Sequence, residues 1–461
     1  MKWNINIENI GLGGYAPGYY YNSYPTYGNA NMAGRMSNVD LTDPTGVTQG
    51  PGLTDVDSGA NPTGTIKGIT PYVTSANKAY GISATKIYEI EADNITEKSP
   101  DSAITGGEDI VLYADKLYWS HDTDVGRSDN PFANPDENWW TTQGGSALTS
   151  GNPHPMEVGG TSGVLWIADG QYLHQWNGTT ATDGAFDTTD SDSVIQDMVW
   201  NNNYLYIASN KPDVSGRKRG SVYIWDGTST SWTQRAETRG EIGALYAMDG
   251  ITYVFYKENL SDGVCKLGYV DGNSIVPIKG ATYSGSLPAY YQVSEYKDFL
   301  IWASGTDLFA FGSGDPQLNP RLFQLGVCGA GGLANPFGTP ITASNNKLEK
   351  FSGYTTSANW KSILFDVSGD KGKSMIDRMY INIDKMSTGA QVDWSLVDNG
   401  GNTIESGTIP ESTYGTNTNI KVNPNRKEAD NFRIELDWTN GSTSNPAKVK
   451  SIKIYGHTTG I

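Results

Sequence analysis

The chain has 461 residues and a formal net charge of −17, because 50 Asp and Glu residues outnumber 33 Lys and Arg. Such acidity disfavours specific binding to duplex nucleic acid, whose phosphate groups would be repelled. Aromatic residues make up 11% of the chain, enough to bury a large core, which argues against intrinsic disorder. No run of 18 apolar residues occurs, so the sequence predicts no membrane span.

The composition predicts an all-β protein. The chain has 55 Gly and 27 Tyr, and the good helix formers are scarce. This favours many short strands joined by tight turns. The segment Met1–Glu8 lacks the apolar core of a signal peptide, which predicts a protein made in a cytoplasm without a cleaved signal.

Residues 1–65 are predicted to form a Gly/Tyr-rich arm. Segment 11–34 is crowded with Gly, Tyr, Pro and Asn and has no periodicity, which predicts a long ordered loop. Large amphipathic rings of this kind often bury against a partner. The alternative is that they pack on the chain's own domains. We select six tyrosines as predicted assembly contacts: Tyr15, Tyr19, Tyr20, Tyr21, Tyr24 and Tyr27.

A hairpin unit recurs between residues 66 and 330. Each copy has an apolar strand, a tight turn with Asp, Asn or Lys, and a second strand rich in Tyr, Trp and Ile. The turns fall near residues 77, 115, 169, 202, 249 and 297, at a mean spacing of 44 residues. Propeller blades of four short strands take about 40–50 residues each. The repeat therefore predicts a β-propeller of about six blades, with a sandwich array as the alternative.

The composition changes again after a Gly-rich stretch at 329–338. Residues 331–360 are predicted to be a linker, and residues 361–461 a separate domain. The latter contains strands with period-two alternation, which is typical of antiparallel strands packed on one side. With its Asn-Gly and Gly-Gly turns, this region predicts a β-sandwich of jelly-roll type.

Residues that commonly carry chemistry are few. The four histidines, at 121, 154, 174 and 457, stand in unrelated contexts. Cys265 and Cys328 are too few for a disulfide framework or a four-ligand zinc site, so two buried free thiols are expected. We therefore assign no catalytic, cofactor-binding or metal-ligating residue, and we expect no cofactor and no enzymatic activity.

Two acidic clusters leave Ca²⁺ as an open option. Asp122 and Asp124, and then the group 187–192, place carboxylates at alternate positions, which suits a hard cation. The alternative is a solvated, turn-forming loop. A pair of carboxylates suited to glycoside hydrolysis cannot be assigned, because their separation is not given by the sequence.

The opening segment resembles the tail nozzle (tail knob or hub) proteins of tailed bacteriophages. The residues that carry this resemblance are Gly13-Gly14, Pro17, Tyr24-Pro25, Asn31-Met32, Asn38-Val39-Asp40-Leu41, Gly46, Gln49-Gly50 and Pro51-Gly52-Leu53. The family's loop before the proline often carries Arg or Lys, where this chain has Gln49-Gly50. The resemblance implies an irregular propeller and a ring of copies at the tail end, with a DNA channel on the ring axis.

Three functions follow as expectations. The first is a non-catalytic structural virion protein of a phage tail, made in the host cytoplasm. Its partners would be copies of itself in a ring (a hexamer, for example), other tail proteins, and passing DNA that it does not bind specifically. The second is a receptor- or sugar-binding tail adhesin. The third is a glycan-acting enzyme.

Overall fold

The structure is a computed structural model. It describes residues 2–14, 32–71, 77–100, 102–160, 163–212, 215, 217–258, 264–313, 319–367, 373–425, 427–429, 431–439 and 441–459. The predicted fold class, a propeller followed by a β-sandwich, is confirmed. Short helical segments lie at Ile10–Leu12, Trp139–Thr142, Tyr290–Gln292 and Glu411–Tyr414. No described helix is long and apolar enough to cross a membrane.

The propeller contains seven four-stranded antiparallel sheets, which we call blades 1 to 7. Blade 1 has strands Ile66–Ile69, Ala79–Ser83, Ile87–Glu91 and Asn94–Lys98. Blade 2 has strands Asp109–Tyr113, Lys116–His121, Asp124–Asp129 and Ala133–Asp136. Blade 3 has strands Met156–Gly159, Val164–Asp169, Tyr172–Trp176 and Ala181–Asp187.

The next three blades follow the same up-and-down order. Blade 4 has strands Val194–Asn201, Tyr204–Pro212, Lys218–Trp225 and Gln234–Thr238. Blade 5 has strands Ile242–Met248, Ile251–Lys257, Val264–Asp271 and Ser274–Ser284. Blade 6 has strands Val293–Tyr296, Phe299–Ser304, Asp307–Gly312 and Arg321–Val327. The first strands of neighbouring blades contact one another, so they surround a central channel.

Blade 7 joins two distant parts of the chain. Its first three strands are Leu333–Ala334, Ile341–Ser344 and Lys347–Tyr354, and its outermost strand is Pro51–Asp55. Leu53 lies opposite Phe351 in this pairing. The sequence predicts about six blades, and the structure describes seven. The additional blade was not predicted because its strands lie partly in the predicted arm and partly in the predicted linker.

One predicted hairpin is out of phase with the others. The turn near 169 joins the second and third strands of blade 3, whereas the other five turns join first and second strands. The equivalent connection of blade 3 leads from strand Met156–Gly159 to strand Val164–Asp169. The first strands of blades 2, 3 and 4 begin at residues 109, 156 and 194, at intervals of 47 and 38 residues, so the blade period is more regular than the turns near 115, 169 and 202 indicated.

The sandwich consists of two antiparallel sheets. One sheet has strands Lys2–Ile7, Val449–Thr459, Lys373–Ile383, Asn419–Val422 and Lys427–Glu428. The other has strands Ala33–Ser37, Asn359–Ser362, Phe365–Asp366, Asn431–Asp437, Gln391–Asp398 and Thr403–Pro410. Apolar residues of the two sheets share one buried cluster, and the ring of Trp3 in the first sheet lies 6.1 Å from that of Phe432 in the second.

The predicted domain boundaries differ from the structure at the N-terminal end. Strands Lys2–Ile7 and Ala33–Ser37 belong to the sandwich, and Pro51–Asp55 closes the propeller. Residues 1–65 are therefore not a separate arm. Strand Lys2–Ile7 does alternate polar and apolar residues, but Ala33–Ser37 and Pro51–Asp55 are short and have no such period, so the segment as a whole was not recognised as strands.

The two domains share a core and a connecting segment. One buried cluster includes Trp302 of blade 6 together with Trp360 of the sandwich. Between the domains, Val39–Asp40 pairs with Thr48–Gln49 in a two-stranded sheet. Arg321 of blade 6 is almost fully buried, and its Nε donates a 3.0 Å hydrogen bond to the carbonyl of Leu41 in this segment. Burial lowers the pKa of Arg321 to about 10.

Candidate functional site: the entrance of the propeller channel

The first strands of the propeller bring three carboxyl groups to the central channel. Asp109 stands on blade 2, Glu157 on blade 3 and Asp197 on blade 4. Each stands on the first strand of its blade. The end of the channel at which these strands begin is called the channel entrance below.

Asp109 and Asp197 connect neighbouring blades. One carboxylate oxygen of Asp109 accepts a 2.7 Å hydrogen bond from the backbone N–H of Met156 on blade 3. Asp197 accepts a 2.6 Å bond from the backbone N–H of Leu245 on blade 5. The second oxygen of each carboxylate accepts the N–H of the following residue in its own strand. Burial raises the pKa of Asp109 to about 6 and that of Asp197 well above its usual range.

Glu157 makes the corresponding connection between blades 3 and 4. Its Oε1 accepts a 3.1 Å hydrogen bond from the backbone N–H of Trp200. Burial, together with the negative charge of Asp109, raises the pKa of Glu157 to about 8. Blades 2 to 5 are therefore joined near the axis by three carboxyl groups, each of which bonds a backbone amide of the next blade.

The raised pKa of the half-buried Glu157 carboxyl makes stability depend on pH. The folded state retains a proton on Glu157 between about pH 4.5 and pH 8, whereas the unfolded state loses it. Stability should therefore fall as the pH rises through this window. We expect Glu157→Gln to reduce the loss of melting temperature between pH 5.5 and pH 8.5, because the amide oxygen still accepts the Trp200 N–H but cannot ionise.

The control for this prediction is Glu97→Gln, which removes a more exposed carboxylate paired with Lys86. That variant should keep the wild-type dependence of melting temperature on pH. Thermal unfolding followed by circular dichroism at both pH values gives the comparison. An unchanged pH dependence in Glu157→Gln would contradict the proposed ionisation.

A segment before blade 6 lies across the channel entrance. Its helical turn Tyr290–Gln292 contacts the first strands of blades 1, 5 and 7. The Nε2 of Gln292 donates a 2.6 Å hydrogen bond to the carbonyl of Ala330, which precedes blade 7. Gly243 of blade 5 lies against the carbonyl oxygen of Pro288, where a side chain would overlap it. This segment therefore lies over the part of the channel entrance next to blades 1, 5 and 7.

A cavity of about 410 Å³ opens beside this segment. Polar and charged residues of blades 1, 4 and 5 and of the loops before blades 2, 3 and 5 line it, together with apolar residues of the covering segment. The lining residues used below are Lys67, Glu108, Gln196, Glu241, Lys257, Leu287, Tyr290 and Tyr291. Volumes of 300–1,000 Å³ are usual for small-molecule sites.

Two of the four histidines share one carboxylate. Ring nitrogens of His154 and His174 lie 3.8 Å from different oxygens of Asp169. Although burial opposes its ionisation, the nearby His174 ring and two hydrogen bonds donated by Thr149 lower the pKa of Asp169 to about 2. His457 lies elsewhere, on the sandwich, 2.8 Å from Asp377. The histidines stand in unrelated sequence contexts, but in the structure His154 and His174 lie close to the same carboxylate, that of Asp169.

The two acidic clusters bond to neighbouring loops and side chains. Asp124 accepts a 2.6 Å hydrogen bond from the Thr141 hydroxyl, and Asp122 accepts one of 2.7 Å from Ser150. Asp190 lies 2.7 Å from the Lys211 ammonium group. Among the described residues, no group of three or more His, Cys, Asp or Glu is placed to hold a metal ion.

The cysteine prediction is confirmed, because Cys265 and Cys328 are both buried and free. Burial raises their thiol pKa values to about 11 and about 12. The predicted assembly contacts, from Tyr15 to Tyr27, lie outside the described residues. Sequence reasoning did not select Asp109, Glu157 and Asp197. Their shared feature is an acid within a mainly apolar first strand, at the first position for Asp109, the second for Glu157 and the fourth for Asp197.

No family model and no curated protein matches the chain. Solved structures of low sequence identity are similar in fold. The extracellular domain of a putative hybrid two-component system from B. thetaiotaomicron is 10% identical, with a TM-score of 0.48. That match covers 92% of this chain and 61% of the other.

Two further structures cover nearly all of their own length. The N-terminal domain of Nup159 is 11% identical over 72% of this chain and 98% of its own, with a TM-score of 0.38. An exo-β-1,3-galactanase from Phanerochaete chrysosporium, solved with β-1,3-galactotriose, is 12% identical over 88% of this chain and 100% of its own. Its TM-score is 0.31.

Proposed function

We propose that the protein is a non-catalytic structural component of a tailed-phage virion, a tail nozzle or related tail protein that acts in a multi-copy ring. The observation that carries the proposal is the way the N-terminal strands join the two domains. The sandwich takes strands Lys2–Ile7 and Ala33–Ser37, and blade 7 takes Pro51–Asp55. With the shared core, this arrangement links the two domains through both backbone pairing and buried side chains. Rigid units with fixed domain geometry suit assembly into a particle.

The channel carboxylates support a structural role. Both oxygens of Asp109 and of Asp197 accept backbone N–H groups, so their hydrogen bonds stabilise the contacts between blades. A general acid or base must instead reach the proton that it transfers within hydrogen-bond distance. The resemblance of the opening segment to nozzle proteins supports the same proposal.

The proposed DNA path lies on the axis of the ring, between copies. At the entrance of the propeller's own channel, the segment around Tyr290 lies over the part next to blades 1, 5 and 7. A net charge of −17 per copy would line such a path with negative potential, which lets DNA slide without adhering.

The direct test is the mass of the purified full-length protein in solution. Light scattering coupled to size-exclusion chromatography should give a multiple of 49.8 kDa, and negative-stain images should show rings. Antibody labelling of phage particles should then place the protein at the tail. A monomer that is absent from virions and hydrolyses a polysaccharide would overturn the proposal.

The predicted role of the six tyrosines can be tested without disturbing either domain. The carbonyl of Gly14 accepts a 2.8 Å hydrogen bond from the N–H of Ala33. A carbonyl and an N–H bonded in this way can be joined by a two-residue turn. We expect replacement of residues 15–32 by Asn-Gly to leave the fold intact and to shift the protein from ring to monomer in light scattering.

The matched controls change the tyrosines within the full-length chain. Replacing all six by phenylalanine keeps the apolar rings and should retain assembly, whereas replacing them by serine should abolish it. Circular dichroism and melting temperature report whether each variant is folded. If the Asn-Gly variant forms rings as the wild type does, the tyrosines are not assembly contacts.

A further inference from the structure

The cavity at the channel entrance combines charge balance with aromatic surface. Lys67 lies 3.7 Å from Glu108, and Lys257 lies 3.2 Å from Glu241, so each lysine on the cavity wall has a glutamate beside it. The two pairs come from opposite parts of the lining, near blades 1–2 and near blade 5. The wall therefore offers donors and acceptors without a net charge.

The covering segment supplies the aromatic part of the wall. The rings of Tyr290 and Tyr291 lie 5.0 Å apart in an edge-to-face arrangement, beside Leu287. These rings and Leu287 give the cavity an apolar surface on which a ligand can pack.

Gln196 adds a neutral polar group to the same wall. Its Nε2 donates a 2.9 Å hydrogen bond to the carbonyl of Val194, which holds the amide in position on blade 4. An anionic ligand would meet Glu108 and Glu241, and a cationic one would meet the two lysines that these glutamates already pair. A neutral ligand with many hydroxyl groups and an apolar face avoids both conflicts.

We propose that this cavity binds a neutral saccharide of one or two sugar units. The hydroxyl groups would exchange hydrogen bonds with Gln196 and the ion-paired side chains, and an apolar sugar face would pack on Tyr291. Such binding goes beyond the proposed structural role and does not depend on ring assembly. It would give each copy a site for a glycan.

Saturation-transfer NMR on the full-length protein tests the proposal. The probes are galactose, glucose, mannose, N-acetylglucosamine, lactose and maltose, each at about 10 mM, which detects dissociation constants in the millimolar range. Glucuronic acid and a neutral dipeptide, glycylglycine, serve as the competing ligand classes. We expect signal for at least one neutral sugar and a stronger response than for glucuronic acid or glycylglycine.

Two variants then locate the site. Tyr291→Ala and Gln196→Ala should each weaken the sugar's affinity about tenfold or more. Tyr172→Ala is the matched control, because Tyr172 is an exposed tyrosine of blade 3 that lies outside the cavity wall. Melting temperatures confirm that all three variants fold.

The proposal is overturned by any of three results. These are the absence of signal from every neutral sugar, a stronger response to glucuronic acid or the dipeptide, and full sugar affinity in folded Tyr291→Ala and Gln196→Ala. None of these bears on the mass of the assembled ring, so failure of the sugar site and failure of the structural role are distinguishable.

Discussion

Substitution of Gly50 by alanine is expected to open the seventh blade of the propeller. Gly50 immediately precedes the closing strand Pro51–Asp55, and a Cβ there would overlap the carbonyl oxygen of Leu325 on blade 6. The backbone of Gly50 is fixed on both sides, by bonds to Asn38 and Thr355, so it cannot move aside without losing them. We expect a loss of about 3 kcal/mol or more in unfolding free energy.

Cys328 reports locally on this opening. It follows the outermost strand of blade 6 and is buried, with a pKa raised to about 12, so it should react slowly with a thiol reagent. In a Cys265→Ser background, Gly50→Ala should increase the rate of modification of Cys328 and lower the urea midpoint. Gly59→Ala is the control, because a Cβ there would meet only the side chain of Asp57.

A covalent link should have the opposite effect. Thr54 lies directly opposite Lys350 in the closing pair, a position compatible with a cross-strand disulfide. The oxidised Thr54→Cys/Lys350→Cys variant should gain about 2–4 kcal/mol in unfolding free energy relative to its reduced form.

If Gly50→Ala keeps wild-type stability and thiol reactivity, closure by the N-terminal strand does not limit the stability of the propeller.

The sequence predicted the repeat because each blade contains a hairpin with strong local signals. Turns such as Asp249-Gly250 lie between apolar and aromatic strands, and residues Asp249 and Gly250 both have positive φ. The seventh blade has no such continuity, since its outermost strand comes from about 300 residues earlier in the chain. Local periodicity carries no information about a pairing over that distance.

The sequence did not predict the residues of the channel entrance, for a related reason. Asp197 lies within strand Val194–Asn201, and an isolated acid next to Gln196 is equally typical of a solvent-exposed position of a strand. Its role depends on the backbone N–H of Leu245, which comes from the next blade and is placed by the closed ring. The cavity likewise depends on the segment around Tyr290 crossing the axis, which no sequence period marks.

Trp360→Ala in the sandwich is expected to destabilise the propeller as well. Trp360 is fully buried and lies between Met36 of the N-terminal strand and Leu436 of the sandwich. Truncation of a buried tryptophan costs about 3–5 kcal/mol. Because the N-terminal segment passes from the sandwich strand Ala33–Ser37 to the closing strand of blade 7, the loss should reach both domains in one cooperative transition.

The propeller thiols make this coupling measurable. Cys265 and Cys328 both lie in the propeller, so their reactivity reports propeller opening while the substitution sits in the sandwich. In Trp360→Ala, the urea midpoints from thiol modification and from circular dichroism should fall together. Tyr172→Ala, at an exposed position of blade 3, should change neither of the two urea midpoints.

Unfolding of the sandwich at low urea, with thiol reactivity still at the wild-type level, would mean that the shared core and the N-terminal strands do not couple the domains. The protein would then lack the rigidity on which its proposed structural role depends.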